Sequence, residues 1–128
     1  MHNVREACPI AISGDLAVIG VPGDIPGDEG SSGAIYILSR NNGGTDNWGL
    51  VKKIVSDEGI YSFGENVALS GDLLAVASYS SVYIHSRNQG GSDNWGLVKR
   101  LSQREDEDSQ ELFGYSVAIS RETVLIGA

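Results

Sequence analysis

The sixteen residues from Ser39 to Ile54, reading Ser-Arg-Asn-Asn-Gly-Gly-Thr-Asp-Asn-Trp-Gly-Leu-Val-Lys-Lys-Ile, return from Ser86 to Leu101 with twelve positions identical and four conservative. Chance does not produce such a match, so the chain arose by duplication and its fold must accommodate one unit more than once. A second motif runs three times: Ala11-Ile12-Ser13-Gly14-Asp15, Ala68-Leu69-Ser70-Gly71-Asp72 and Ala118-Ile119-Ser120-Arg121-Glu122, each followed by an apolar run. The spacings are 57 and 50 residues, too long for leucine-rich or ankyrin units and in the range of four-stranded propeller blades.

Each repeat reads as four short strands separated by glycine and asparagine clusters. In the second repeat the expected strands are Ser62 to Leu69, Leu73 to Ser78, Ser81 to Ser86 and Leu97 to Leu101. Ser-Gly-Asp between the first two supplies a residue tolerant of positive φ and a side-chain acceptor for a tight hairpin. The nearly continuous apolar run Leu73-Leu74-Ala75-Val76-Ala77 fits a strand covered on both faces. The mixed Leu97-Val98-Lys99-Arg100-Leu101 fits an outer edge, where cations discourage strand addition. No stretch sustains helical apolar spacing without a glycine interruption. The expectation is an all-β chain of antiparallel four-stranded β-propeller blades. Repeat 1 spans residues 9–61, repeat 2 residues 62–112 and a truncated repeat 3 residues 113–128: ten strands, or about two and a half blades of a partial propeller. Such an array leaves open blade edges, through which self-association is expected.

A net charge of −8, from 17 acidic and 9 basic side chains, disfavours nucleic acid and anionic lipid as partners. No stretch approaches the roughly twenty apolar residues of a membrane span, so membrane insertion is not expected. The lone Cys8 excludes an internal disulfide or cysteine-based zinc cluster and reads as a bystander thiol.

Phe63-Gly64 and Phe113-Gly114, followed by Asn66-Val67-Ala68-Leu69-Ser70-Gly71-Asp72 and Tyr115-Ser116-Val117-Ala118-Ile119-Ser120, resemble the FG-GAP repeats of integrin-α-like propellers and of bacterial and algal surface proteins. The Gly-Ala-Pro element of that family is similar to Gly20-Val21-Pro22 and Gly127-Ala128, whereas the second repeat has Ala77-Ser78-Tyr79 and the first has Glu6-Ala7 in place of Phe-Gly. The resemblance covers almost the whole chain. It implies a propeller fold, adhesion or recognition of a protein or glycan ligand, and an extracellular or cell-surface location.

The loop Pro22 to Gly33 carries three carboxylates among glycines, Asp24, Asp28 and Glu29, and these are the candidate Ca²⁺ ligands because a hard cation takes several oxygens from a flexible loop. Calcium loops of integrin-like propellers alternate acidic residues, while Asp24 and Asp28 are four apart; a solvated polar loop is the competing reading. The run Glu105-Asp106-Glu107-Asp108, with Glu111 nearby, suits solvation better than chelation, since adjacent side chains of an extended segment point to alternate sides. Asp46-Asn47-Trp48 and Asp93-Asn94-Trp95 read as blade-specifying turns whose indoles pack between blades, with sugar stacking or partner anchoring as the functional alternative.

Catalytic residues are not expected. His2 and His85 form no recognisable pair or triad, no serine sits in a nucleophile elbow, and the glycine pairs at 43 and 90 fall in hairpins away from any helix N-terminus. The reading is a non-catalytic protein- or glycan-binding section of a larger propeller. The alternative is a section of a propeller hydrolase or lyase whose catalytic residues lie outside this chain.

Overall fold

The computed structural model describes residues 8–22, 33–55, 63–78, 81–102 and 116–127, and no helix occurs among them. Among the described residues ten strands form: β1 (Ile10–Ser13), β2 (Leu16–Val21), β3 (Ala34–Ser39), β4 (Gly49–Val55), β5 (Asn66–Ser70), β6 (Leu73–Ala77), β7 (Ser81–Ser86), β8 (Gly96–Ser102), β9 (Ser116–Ser120) and β10 (Thr123–Gly127). They make three antiparallel sheets, β1-β2-β3-β4, β5-β6-β7-β8 and β9-β10, each a simple meander in chain order.

The repeat in sequence becomes a repeat in register. Ser13 pairs with Leu16, Ser70 with Leu73 and Ser120 with Thr123, so each sheet starts with a two-residue hairpin loop. The first loop residue has positive φ in every case, at Gly14 (57°), Gly71 (56°) and Arg121 (55°); only the third lacks glycine there. Both four-stranded sheets also share a register shift at equivalent places, between Ile37 and Leu38 and between Ile84 and His85.

The sheets stack face to face. Leu69, Leu74, Val76, Tyr83 and Trp95 of the second sheet pack on Leu16, Val18, Ile35 and Ile37 of the first. The opposite side of the second sheet, with Ala75, Val82 and Ile84, receives Val117, Ile119, Val124 and Ile126 of the third. The middle sheet is therefore covered twice, and β6 is buried from Leu74 to Ala77, as its apolar run led one to expect. β2 alternates buried and half-buried positions, and β9 exposed and half-buried ones, because each of their sheets is covered on one side.

Two features bring neighbouring sheets close. The Gly71 N–H donates to Ser13 Oγ at 3.1 Å, and the Arg121 N–H donates to Ser70 Oγ at 3.0 Å, so the same hydroxyl ties both junctions. Phe63-Gly64 also lies against the first sheet: a Cβ at Gly20 would come within 2.3 Å of Gly64 O, and one at Gly33 within 2.0 Å of Phe63 O.

This contact corrects the expected strand from Ser62 to Leu69. Ser62 lies outside the described residues, Phe63-Gly64 is a turn, and the strand begins at Asn66. Gly64 takes φ 95°, which ends extended backbone, and its N–H donates to Ala77 O. The buried Phe63 ring meets Tyr83 edge-on at 5.5 Å. The expected strand from Ser81 to Ser86 matches in full, and the other boundaries differ by one residue at either end.

Because a Cβ at Gly20 would meet the Gly64 backbone and the stiff ring of Pro9, a methyl group there has no flexible side chain to displace. Gly20→Ala is expected to destabilise the fold by about 1–3 kcal/mol, the usual cost of overpacking, read as a lowered urea midpoint.

Candidate functional site

The duplicated sixteen-residue segment forms the β3–β4 and β7–β8 hairpins, which stand side by side. Their loops are held by the same bonds. Arg40 Nε donates to Asp46 Oδ1 and Arg87 Nε to Asp93 Oδ1, both at 2.6 Å. The Asp46 and Asp93 amides donate to Asn41 Oδ1 and Asn88 Oδ1 at 3.2 and 3.1 Å. Asn47 Nδ2 reaches Asn42 O, and Asn94 Nδ2 reaches Gln89 O, at 2.9 Å each. The aspartates take φ of 56° and 54°, a conformation that short polar side chains tolerate.

The arginines serve a second turn as well. Arg40 Nη1 lies 3.8 Å from Asp15 and Arg87 Nη1 lies 3.6 Å from Asp72, linking each β3–β4-type loop to its own β1–β2-type loop. The hydrogen bond it donates to Asp93, reinforced by the charges of Asp93 and Asp72, holds the Arg87 guanidinium above its already high ordinary value. It is cationic at every working pH.

Where the two hairpins adjoin, they border an open cleft of about 610 Å³. Ser39, Asn42 and Lys52 line it from the first sheet, and Arg87, Ser92 and Asn94 from the second. Lys52 Nζ donates across it to Asn94 Oδ1 at 3.3 Å. The walls thus present hydroxyls, amides and two cations beside the Asp93 carboxylate, a donor-rich surface suited to hydrogen-bonding a polar ligand.

The tryptophans of the two loops part company. Trp95 is 1% exposed and packs between the first and second sheets, as expected, whereas Trp48 is 40% exposed. The difference follows from position: the first-sheet face that bears Trp48 has no sheet packed on it among the described residues. His85 is buried on its sheet, at the position Leu38 holds in the first repeat. Its Nδ1 lies 2.9 Å from Trp95 O, an obligate acceptor, so Nδ1 carries the proton and Nε2 is a buried acceptor without a partner among the described residues. Burial pushes the imidazole below its ordinary value, against a smaller opposing effect of the Trp95 carbonyl.

Asp24, Asp28 and Glu29, the candidate calcium ligands, lie outside the described residues, as do His2, Phe113-Gly114, the acidic run Glu105 to Asp108 and Glu111. Among the described residues no group of three His, Cys, Asp or Glu side chains is placed to hold a metal ion, and no helix is long and apolar enough to cross a membrane. Cys8 is exposed. Sequence reasoning missed the Ser13 and Ser70 hydroxyls, which it took for turn formers, and the inward role of Lys52. Recurrence of Ser at 13, 70 and 120 was the available signal for the first; the second requires knowing which loops adjoin.

Comparison with protein-family models, with curated proteins and with solved structures finds no match to this chain.

Trp95→Ala is expected to cost about 3–5 kcal/mol, as for other buried aromatics, and Trp48→Ala less than about 1 kcal/mol, both by urea unfolding at low protein concentration. For His85 the folded value is depressed, so the unfolded chain binds more protons: its contribution is complete above the unfolded value of about 6.5 and is lost as pH falls towards the folded one. His85→Leu, which installs the residue of the first repeat, should flatten the fall in stability between about pH 7.5 and 5.5; an unchanged slope would assign it to other groups.

Proposed function

We propose that this chain is a non-catalytic section of a β-propeller built from FG-GAP-type repeats, and that it binds a protein or glycan through the cleft between its β3–β4 and β7–β8 hairpins. Three features support the propeller reading: meandering four-stranded sheets, their face-to-face stacking, and the Phe63-Gly64 turn seated on Gly20. The observation that carries the functional reading is the cleft itself. It is lined by hydroxyl and amide groups with Lys52 and Arg87, on rigid hairpins whose internal bonds pre-organise it.

The lining suits a glycan in particular. Ser39 and Ser92 offer hydroxyls, and Asn42 and Asn94 offer amides, the groups that exchange hydrogen bonds with sugar hydroxyls. Lys52 and Arg87 would add preference for an acidic sugar or an acidic peptide side chain.

A glycan array probed with the purified chain tests this, followed by titration of Lys52→Ala and Ser92→Ala against any glycan that binds. The expected result is a loss of affinity of at least about tenfold, equal to about 1.4 kcal/mol, with unfolding midpoints unchanged. A bound glycan indifferent to both substitutions would place recognition outside the cleft. An array without binders would leave an acidic peptide as the ligand class, testable with the same variants.

A further inference from the structure

We propose that a second copy of this chain docks head to tail on the first, its third sheet covering the bare face of the first sheet. The partner is identified by the chain's own repetition. At both internal junctions the same face of one sheet packs on the opposite face of the sheet before it. Ile12 is the repeat counterpart of Leu69 and Trp48 that of Trp95, yet Ile12 is 65% exposed where Leu69 is 8%. Ile10, 69% exposed, corresponds to Val67, which packs in the core between the sheets.

The other end of the stack is bare in the complementary sense. Leu125 is 69% exposed, while its counterparts Val18 and Ala75 are fully buried under the following sheet. Thus one copy displays the face that the chain always sets on top, and the other displays the face that always lies beneath.

The polar tie of each junction is also left half-made at each end. The Gly71 amide takes Ser13 Oγ and the Arg121 amide takes Ser70 Oγ. Among the described residues the Gly14 amide and the Ser120 hydroxyl make no such bond, and a head-to-tail contact brings them together as the third member of the series. Two exposed aliphatic faces and one donor–acceptor pair therefore match in the pattern already realised twice within the chain. The contact is heterologous, so it leaves one bare face at each end and propagates or closes into a ring. It joins faces, in contrast to the edge-to-edge association expected from the sequence.

The cleft between the hairpins uses none of Ile10, Ile12, Trp48 or Leu125, so failure of self-association and failure of ligand binding are separate results. The test is sedimentation or light scattering of the whole chain from about 10 μM to about 1 mM, the range of weak contacts. Salt is set high enough to screen the charge of −8. Ile12→Asp breaks the upper face and Leu125→Asp the lower one, and both positions are exposed enough to keep the fold intact, which circular dichroism verifies.

Wild type is expected to grow in mass with concentration and each variant to remain monomeric. An equimolar mixture of the two variants should form a capped dimer, since the intact upper face of Leu125→Asp meets the intact lower face of Ile12→Asp. A monomeric wild type across the range overturns the proposal. Persistent self-association of Leu125→Asp alone would show a like-face or edge contact, and a mixture that stays monomeric would show that the two faces do not meet; either result overturns it as well.

Discussion

The second sheet sends Leu69, Leu74, Val76 and Trp95 into the first and offers Ala75, Val82 and Ile84 to the third, and this one-directional stacking carries the rest of the architecture. Each isolated meander is a thin layer with an apolar surface on both sides, which water penalises by roughly 25 cal/mol for every Å² left exposed. Stacking removes that surface only if successive sheets present faces of complementary size. Large side chains, among them an indole, lie on one face, and smaller aliphatic ones lie on the other. The glycines at positions 20 and 33 continue the same logic, admitting the Phe63-Gly64 backbone to distances that any Cβ would prevent.

The hairpin network has a different energetic character. Its ion pairs are substantially exposed, with Arg87 at 35% and Asp93 at 44%, and such pairs add little to stability singly. Their value lies in conformation. Asp93 sits at positive φ because its carboxylate holds Arg87 and its amide is taken by Asn88. Trp95, two residues on, also has positive φ, and its N–H donates to Arg87 O, which turns the indole from the loop into the junction with the first sheet. The same network forms in the first loop, where Trp48 lacks positive φ, so the network shapes the loop and packing against the first sheet fixes the direction of the indole.

These relations explain what could be read from the chain before its coordinates. The all-β antiparallel character, the four-stranded units and the double burial of β6 were legible, since all rest on local alternation and on the recurrence of Ser-Gly-Asp and Asp-Asn-Trp-Gly. The start of β5 was not, because Phe63 and Gly64 sit in an apolar stretch that resembles a strand and only the contact with Gly20 shows the turn. Trp48 and Trp95 are identical in local sequence and unlike in environment, a difference of neighbour that no reading of one repeat contains. The cleft was missed for the same reason: its parts come from loops 47 residues apart in sequence.

Lys52 makes the general point. Its repeat counterpart, Lys99, stands in the same place on the same hairpin, yet Lys52 reaches across to Asn94 because the second hairpin lies beside the first. A residue shared by every repeat specifies the hairpin, as Arg40 and Arg87 do, whereas a shared residue that points outward acquires a partner only at a junction. Composite surfaces in such a chain therefore belong to pairs of repeats. Their chemistry is set where the two copies differ: Ser92 against Thr45, Gln89 against Asn42, His85 against Leu38. Each of these differences keeps the hairpin, and the first two change the polar groups that its loop presents.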